Sequence, residues 1–239
     1  MAIVLVNLIG GVDYDEIADS ARNVLLGIVV PVAVASALVA ALATYFGWWR
    51  EIMVERPAGR PWSLIVPGIF ALGIVGGLFG VPFGDWATGT ILLLALGTLL
   101  VGFGEELTTR GVLLVGMRAR YREILVWLIT SGLFALMHGL NIISGQAVGK
   151  TLVQVVFTFV IGSVLYASRR ATGLLIVPMI LHALWDFTLL TGQGPGAGTA
   201  QEATQGQAAL IVAMYLAAAA AVVFLVRVVR KEKPEPPTP

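Results

Sequence analysis

The chain predicts an all-α fold, a polytopic bundle of transmembrane helices, and three observations carry that expectation. Hydrophobic residues make up 58% of the 239 positions and charged residues only 12%, a balance foreign to ordinary soluble domains. Several apolar runs reach the length of about 20 residues that a helix needs to cross a hydrocarbon core. The remaining charges gather in short clusters between those runs, as expected for loops at a membrane surface. Lipid offers no partner to a bare peptide group, so each span must be a helix unless the chain closes a barrel.

Taken in order, Met1 to Ile9 is apolar but carries no basic flank and no small-residue cleavage site, so it does not read as a cleaved signal peptide. Asp13-Tyr14-Asp15-Glu16 begins a short helix, and residues 1–22 read as an N-terminal interfacial segment. A transmembrane domain at 23–230 holds seven spans, 23–47, 62–82, 88–117, 123–144, 148–168, 171–190 and 207–229. In the second span and beyond it, Gly73, Gly76, Gly77, Gly80 and Gly84 form overlapping Gly-x-x-x-Gly pairs suited to close helix packing. The third span is long, and it must tilt, bend near Gly102 or Gly104, or protrude. Thr191 to Gly206 is a Gly-rich loop, and residues 231–239, ending in Pro234 to Pro239, form a disordered tail.

Basic residues orient the bundle. Arg50, Arg56 and Arg60 occupy one connection, Arg118, Arg120 and Arg122 another, and Arg169 and Arg170 a third, while Arg227, Arg230, Lys231 and Lys233 mark the carboxyl end. With seven spans all four clusters share one face, and the positive-inside rule places the carboxyl end in the cytoplasm and the amino end outside. The absence of cysteine excludes disulfides, thiolate catalysis and cysteine metal sites. A net charge of +1 gives no footprint for nucleic acid. The partners to expect are membrane lipids and a membrane-associated peptide or protein substrate; oligomeric state leaves no mark in the sequence.

Against this apolar background the informative residues are few. Glu105 and Glu106 stand side by side inside the third span, and the only two histidines, His138 and His182, lie inside the fourth and sixth. Ionisable groups within the bilayer cost several kcal/mol and are by default site hypotheses. Helical spacing puts Glu106 and Arg110 on one face in the favourable order for an ion pair, leaving Glu105 rotated away and free to act. The same spacing sets Phe134 beneath His138 and His182 beside Asp186. At ~1.5 Å per residue, Glu105 sits ~20 Å from Arg118, His138 ~24 Å from Arg122 and His182 ~18 Å from Arg170, so the three share a depth within about one turn.

These residues also form a recognisable order: Glu-Glu-x-x-x-Arg at Glu105, Glu106 and Arg110, Phe-x-x-x-His at Phe134 and His138, and His-x-x-x-Asp at His182 and Asp186. The chain thereby resembles the prokaryotic CPBP (Abi) intramembrane proteases, related to the eukaryotic enzymes that cleave prenylated CaaX proteins, over about residues 60–190. The resemblance implies an endopeptidase in a prokaryotic cytoplasmic membrane, acting on a membrane-associated or lipid-modified substrate. Glu105 and His138 would activate water, His182 and Asp186 would support the oxyanion or hold the site, and Glu106, Arg110 and Phe134 would support them. An ionised Asp186 cannot donate a hydrogen bond, so its own task is to orient or charge His182.

Zinc is the one cofactor in question, with Glu105, His138 and His182 as candidate ligands. No compact His-Glu-x-x-His motif is present, which favours a metal-free glutamate mechanism. Two other readings use the same residues: a proton-coupled transporter with a buried relay, and a non-catalytic membrane scaffold or immunity factor. No inverted repeat with paired broken helices supports the transporter.

Overall fold

The computed structural model describes residues 12, 14–58, 61–192, 194–195 and 205–229. The expected helical membrane bundle is what it shows. Among the described residues, six helices are long and apolar enough to cross a membrane: α1 Ala21–Tyr45, α3 Pro61–Phe79, α4 Thr88–Arg118, α5 Glu123–Ser144, α6 Val148–Thr172 and α8 Gln205–Arg227. A short helix, α2 Trp49–Met53, follows α1, and a shorter apolar helix, α7 Ile176–Thr191, precedes α8. Leu38, Leu72, Phe79, Val153 and Val156 are among the large apolar side chains left exposed on these helices, a surface suited to lipid rather than water.

Expectations about the ends mostly fall outside the described residues: Met1 to Ile9, Asp13, most of the Thr191 to Gly206 loop and the tail at 231–239. Within the described part, the expected N-terminal helix is a single 3-10 turn, Tyr14–Glu16. The helix then restarts at Ala21 behind Ser20, whose hydroxyl accepts from the Asn23 amide, the usual way to satisfy a free N-terminal amide.

The expected sixth span is shortened at its start. α6 continues through Arg169 and Arg170 to Thr172 and ends where Gly173 turns left-handed at φ +73°, its amide donating to the Arg169 carbonyl. That conformation favours glycine and stops the helix. Arg169 and Arg170 are therefore in the last turn of a helix, not in a loop, and α7 begins only at Ile176. Its 16 residues cover about 24 Å, less than a full hydrocarbon thickness.

Three of the arginines that orient the chain by sequence are buried rather than presented to headgroups. Arg118, Arg169 and Arg170 are all at most 8% exposed. Glu55 sits among them, 2.6 Å from Arg118, 3.1 Å from Arg169 and 2.6 Å from Arg170. Glu123 joins from α5, bonded to Arg118, Arg170 and the Tyr166 hydroxyl. This network ties the segment after α2 to the ends of α4 and α6.

Packing behind the site runs through small residues. Gly73, Gly77 and Gly80 of α3 and the turn after it lie against Ala213, Leu210 and Gly206 of α8. Gly102 and Gly104 of α4 lie within its regular α-helical stretch. A Cβ at Gly102 would collide with the Met179 carbonyl of α7, and one at Gly104 with the Ser36 hydroxyl of α1. Both are close-approach positions, and the irregularity of α4 lies beyond them, in a π-helical stretch at Leu107–Leu113.

Candidate active site

The glutamates stand where α4 changes its winding. Regular α-helix ends at Glu106 and the π-helical stretch follows directly, a widening often found at functional positions. Glu106 is fully buried, and its Oε1 accepts from Arg110 Nη1 at 2.7 Å. The same oxygen lies 3.0 Å from Nδ1 of His182 on α7. Glu106 thus joins the guanidinium to an imidazole, a second duty that the i,i+4 spacing alone does not disclose.

Arg110 is also held from α6 and α5. Its Nη2 donates to the Gly162 carbonyl at 2.9 Å, its Nη1 also donates to the Thr109 hydroxyl, and its guanidinium carbon lies 4.2 Å from the centre of the Phe134 ring. Gly162 is required by contact. A Cβ there would sit 2.8 Å from Arg110 Nη2 and 3.0 Å from Phe134 Cδ1.

Phe134 is the hub of the arrangement. Besides Arg110 it packs edge-on against His138 at 5.2 Å and His182 at 5.5 Å between ring centres. His138 is half-buried where α5 tightens into a 3-10 turn at His138–Ser144. Its Nδ1 lies 3.0 Å from the Phe134 carbonyl. A carbonyl only accepts, so Nδ1 carries the hydrogen and Nε2 of the neutral ring is left with its lone pair.

His182 is buried at 3% exposure. With Nδ1 on Glu106, its Nε2 faces two more carboxylates, Asp186 Oδ2 at 3.4 Å and Glu105 Oε2 at 3.9 Å. Glu105 and Asp186 keep 23% and 26% of their side chains exposed, so both meet the space beside the imidazole. Glu105 Oε2 has no hydrogen-bond partner within the protein, and 3.9 Å is within the reach of a bridging water.

The structure gathers Glu105, Glu106, His182 and Asp186 around one imidazole, with Arg110 and Phe134 behind. His138 joins this group through its edge-on contact with Phe134, and among the described contacts Glu105 meets His182 rather than His138. Asp186 is a looser neighbour of His182 than Glu106 is. The Gly162 carbonyl and the Thr109 hydroxyl were absent from the sequence-derived set, and neither residue type announces such a role.

Among the described residues no group of three or more His, Asp or Glu side chains is placed to hold a metal ion. His182 directs one nitrogen to Glu106 and the other to Asp186 and Glu105. The zinc set of Glu105, His138 and His182 does not converge on one point in this arrangement.

Residues 86–188 match the family model described as Rce1-like, type II CAAX prenyl endopeptidase Rce1-like, and every motif residue from Glu105 to Asp186 lies within the match. No curated protein and no solved structure gives a match.

Proposed function

We infer that this chain, whose residues 86–188 belong to the CPBP family, is an intramembrane endopeptidase that hydrolyses a peptide bond in a membrane-associated or lipid-modified substrate. The family match supports a membrane-embedded protease in general. The observation that carries the finer reading is Oε2 of Glu105, which accepts no hydrogen bond within the protein and lies 3.9 Å from a histidine that Glu106 holds in place.

Amide hydrolysis needs an activated water, a donor to the developing oxyanion and a proton for the leaving amine. In the proposed reaction Glu105 and the bare Nε2 of His138 draw a proton from water as its oxygen attacks the carbonyl carbon. The carbonyl oxygen becomes the oxyanion and accepts from the Nε2–H of His182 in its imidazolium form, both ring nitrogens of which face carboxylates, Nδ1 toward Glu106 and Nε2 toward Asp186 and Glu105. The proton taken by Glu105 then passes to the amine nitrogen as the C–N bond breaks, which returns the carboxylate. Arg110 and Phe134 keep these groups in register, and the reaction draws on side chains alone.

The test is peptide hydrolysis by the purified protein in proteoliposomes, wild type against Glu105→Gln, with products read by mass spectrometry. A new amino terminus formed by the wild type and missing from the variant supports the reading. Equal cleavage by both would overturn it. pH-coupled flux lost in the variant, without cleavage by either, would favour a transporter, and an unchanged phenotype a scaffold.

A further inference from the structure

The site has a side toward the face of the bundle where α1 begins, and that side is bridged by the N-terminal segment. The regular part of α4, Thr88–Glu106, packs mainly on α7 and α1, while α5 packs mainly on α6 and meets α4 through its π-helical stretch. Past Glu105 the two groups therefore diverge toward the face where Tyr14 lies. The polar side chains along this gap are in register with the site. On α6, Gln154, Thr158 and Gly162 are spaced four apart and share one face, so Gln154 lies about 12 Å along the helix from the carbonyl that holds Arg110. On α5, Asn141 follows His138 by three residues in a 3-10 turn, where side chains at that spacing eclipse.

Tyr14 closes the span between these groups. Its hydroxyl accepts from Gln154 Nε2 at 2.9 Å, and Gln154 Oε1 accepts from Asn141 Nδ2 at 3.0 Å. The segment that carries Tyr14 is anchored on the other group. Ile17 and Val12 lie against Gly27, within an apolar cluster that includes Val24, Ile28 and Leu94, and Asn23 Nδ2 donates to the Glu16 carbonyl at 2.9 Å.

We propose that the segment from Tyr14 to Ser20 forms a strap across the entrance to the site, latched by the Tyr14 hydroxyl on the Gln154 amide that Asn141 holds in turn, and that substrate enters when the latch opens. Its link to hydrolysis rests on the peptidase reading; its existence as a gate does not. Release of Tyr14 frees an Nε2–H donor on the Gln154 face of α6, a group able to bind an extended peptide backbone on its way to Glu105. The anchors of Ile17 and Val12 are apolar and persist when the latch breaks, so the strap swings rather than detaches.

The native chain has no cysteine, so Glu105→Cys provides a single thiol whose reaction with a small cationic methanethiosulfonate measures access to the site. Added to that background, Tyr14→Phe removes the latch hydrogen bond and is expected to raise the labelling rate about three- to tenfold. Tyr14→Ala is expected to raise it further. Hydrogen exchange at the amides of 138–144 in the chain with native Glu105 supplies a second readout, expected to quicken in Tyr14→Ala. Labelling and exchange unchanged in both variants would overturn the strap even where the wild type cleaves peptides. Faster labelling with no hydrolysis by any form would support the strap and count against the peptidase reading.

Discussion

Oε1 of Glu106 lies 3.0 Å from Nδ1 of His182 while accepting from Arg110 at 2.7 Å. One buried oxygen therefore fixes an imidazole on α7 and a guanidinium on α4 together. Glu106→Gln leaves Arg110 without its counter-charge in a dry position, and breaking a buried pair this way costs about 3–5 kcal/mol. Removing both charges in Glu106→Gln/Arg110→Gln should recover part of that loss. Thermal unfolding in detergent is expected to rank wild type first, the double variant second and Glu106→Gln last. Peptide hydrolysis should stay depressed about 10²-fold in both variants because His182 has lost its orienting carboxylate. A double variant no more stable than Glu106→Gln would show that the pair does not act as one unit.

Glu105→Gln asks a different question of the adjacent position. This side chain is 23% exposed, its Oε2 accepts no hydrogen bond within the protein, and its nearest cationic contact is His182 at 3.9 Å, while Glu106 and Asp186 stay beside that imidazole when Glu105 becomes an isosteric amide. Unfolding temperature is expected to stay close to wild type while hydrolysis falls by 10²-fold or more, about the contribution of a general base. A large loss of stability would instead make Glu105 a structural residue.

How much of this was legible in the sequence depended on whether the signal was a side chain or a backbone. The spacing of Glu106 and Arg110 specifies a shared helical face, and their pairing needs nothing more. His138, His182 and Asp186 stand out because polar residues are rare in apolar runs. By contrast, the carbonyl of Gly162 is a backbone group 52 positions from Arg110, and nothing in a one-letter code distinguishes it from any other. The short α7 was hidden for a related reason. Apolar composition continues across the break, and the boundary is set by the φ of Gly173. Glu55 carries no signal in the sequence, yet it is the centre of a buried ion network whose arginines come from residues far along the chain.

Gly162→Ala tests the support behind Arg110 without touching a charge. The added methyl group meets Arg110 Nη2 at 2.8 Å and the Phe134 ring at 3.0 Å, so one or both must shift. Overpacking of this kind costs about 1–3 kcal/mol. Since Phe134 also contacts both imidazoles, hydrolysis should fall by more than the stability change explains at a temperature where the variant remains folded. Gly149→Ala, on the same helix with open space around its Cβ, is the control and should match wild type in both measurements.

The network around Glu55 predicts acid sensitivity with a definite direction. Burial pushes its carboxyl up, but Arg170, Arg118 and Arg169 together outweigh burial, with Arg118 also donating hydrogen bonds, and lower it from 4.5 to about 2. A carboxyl lowered by folding stabilises the folded state when ionised in both states, above its unfolded value, and that stabilisation drains away as pH falls through the folded value. The window is therefore pH 4.5 down to about 2, with on the order of 3 kcal/mol at stake. Glu55→Gln removes this contribution and the acidic partner that Arg118, Arg169 and Arg170 share, while Arg118 and Arg170 still meet Glu123. Unfolding measured from pH 7 to pH 2 should show the wild type losing stability below pH 4.5, with the variant less stable at neutral pH and flatter across the acid range. Parallel curves for the two proteins would mean that another carboxylate carries the acid transition.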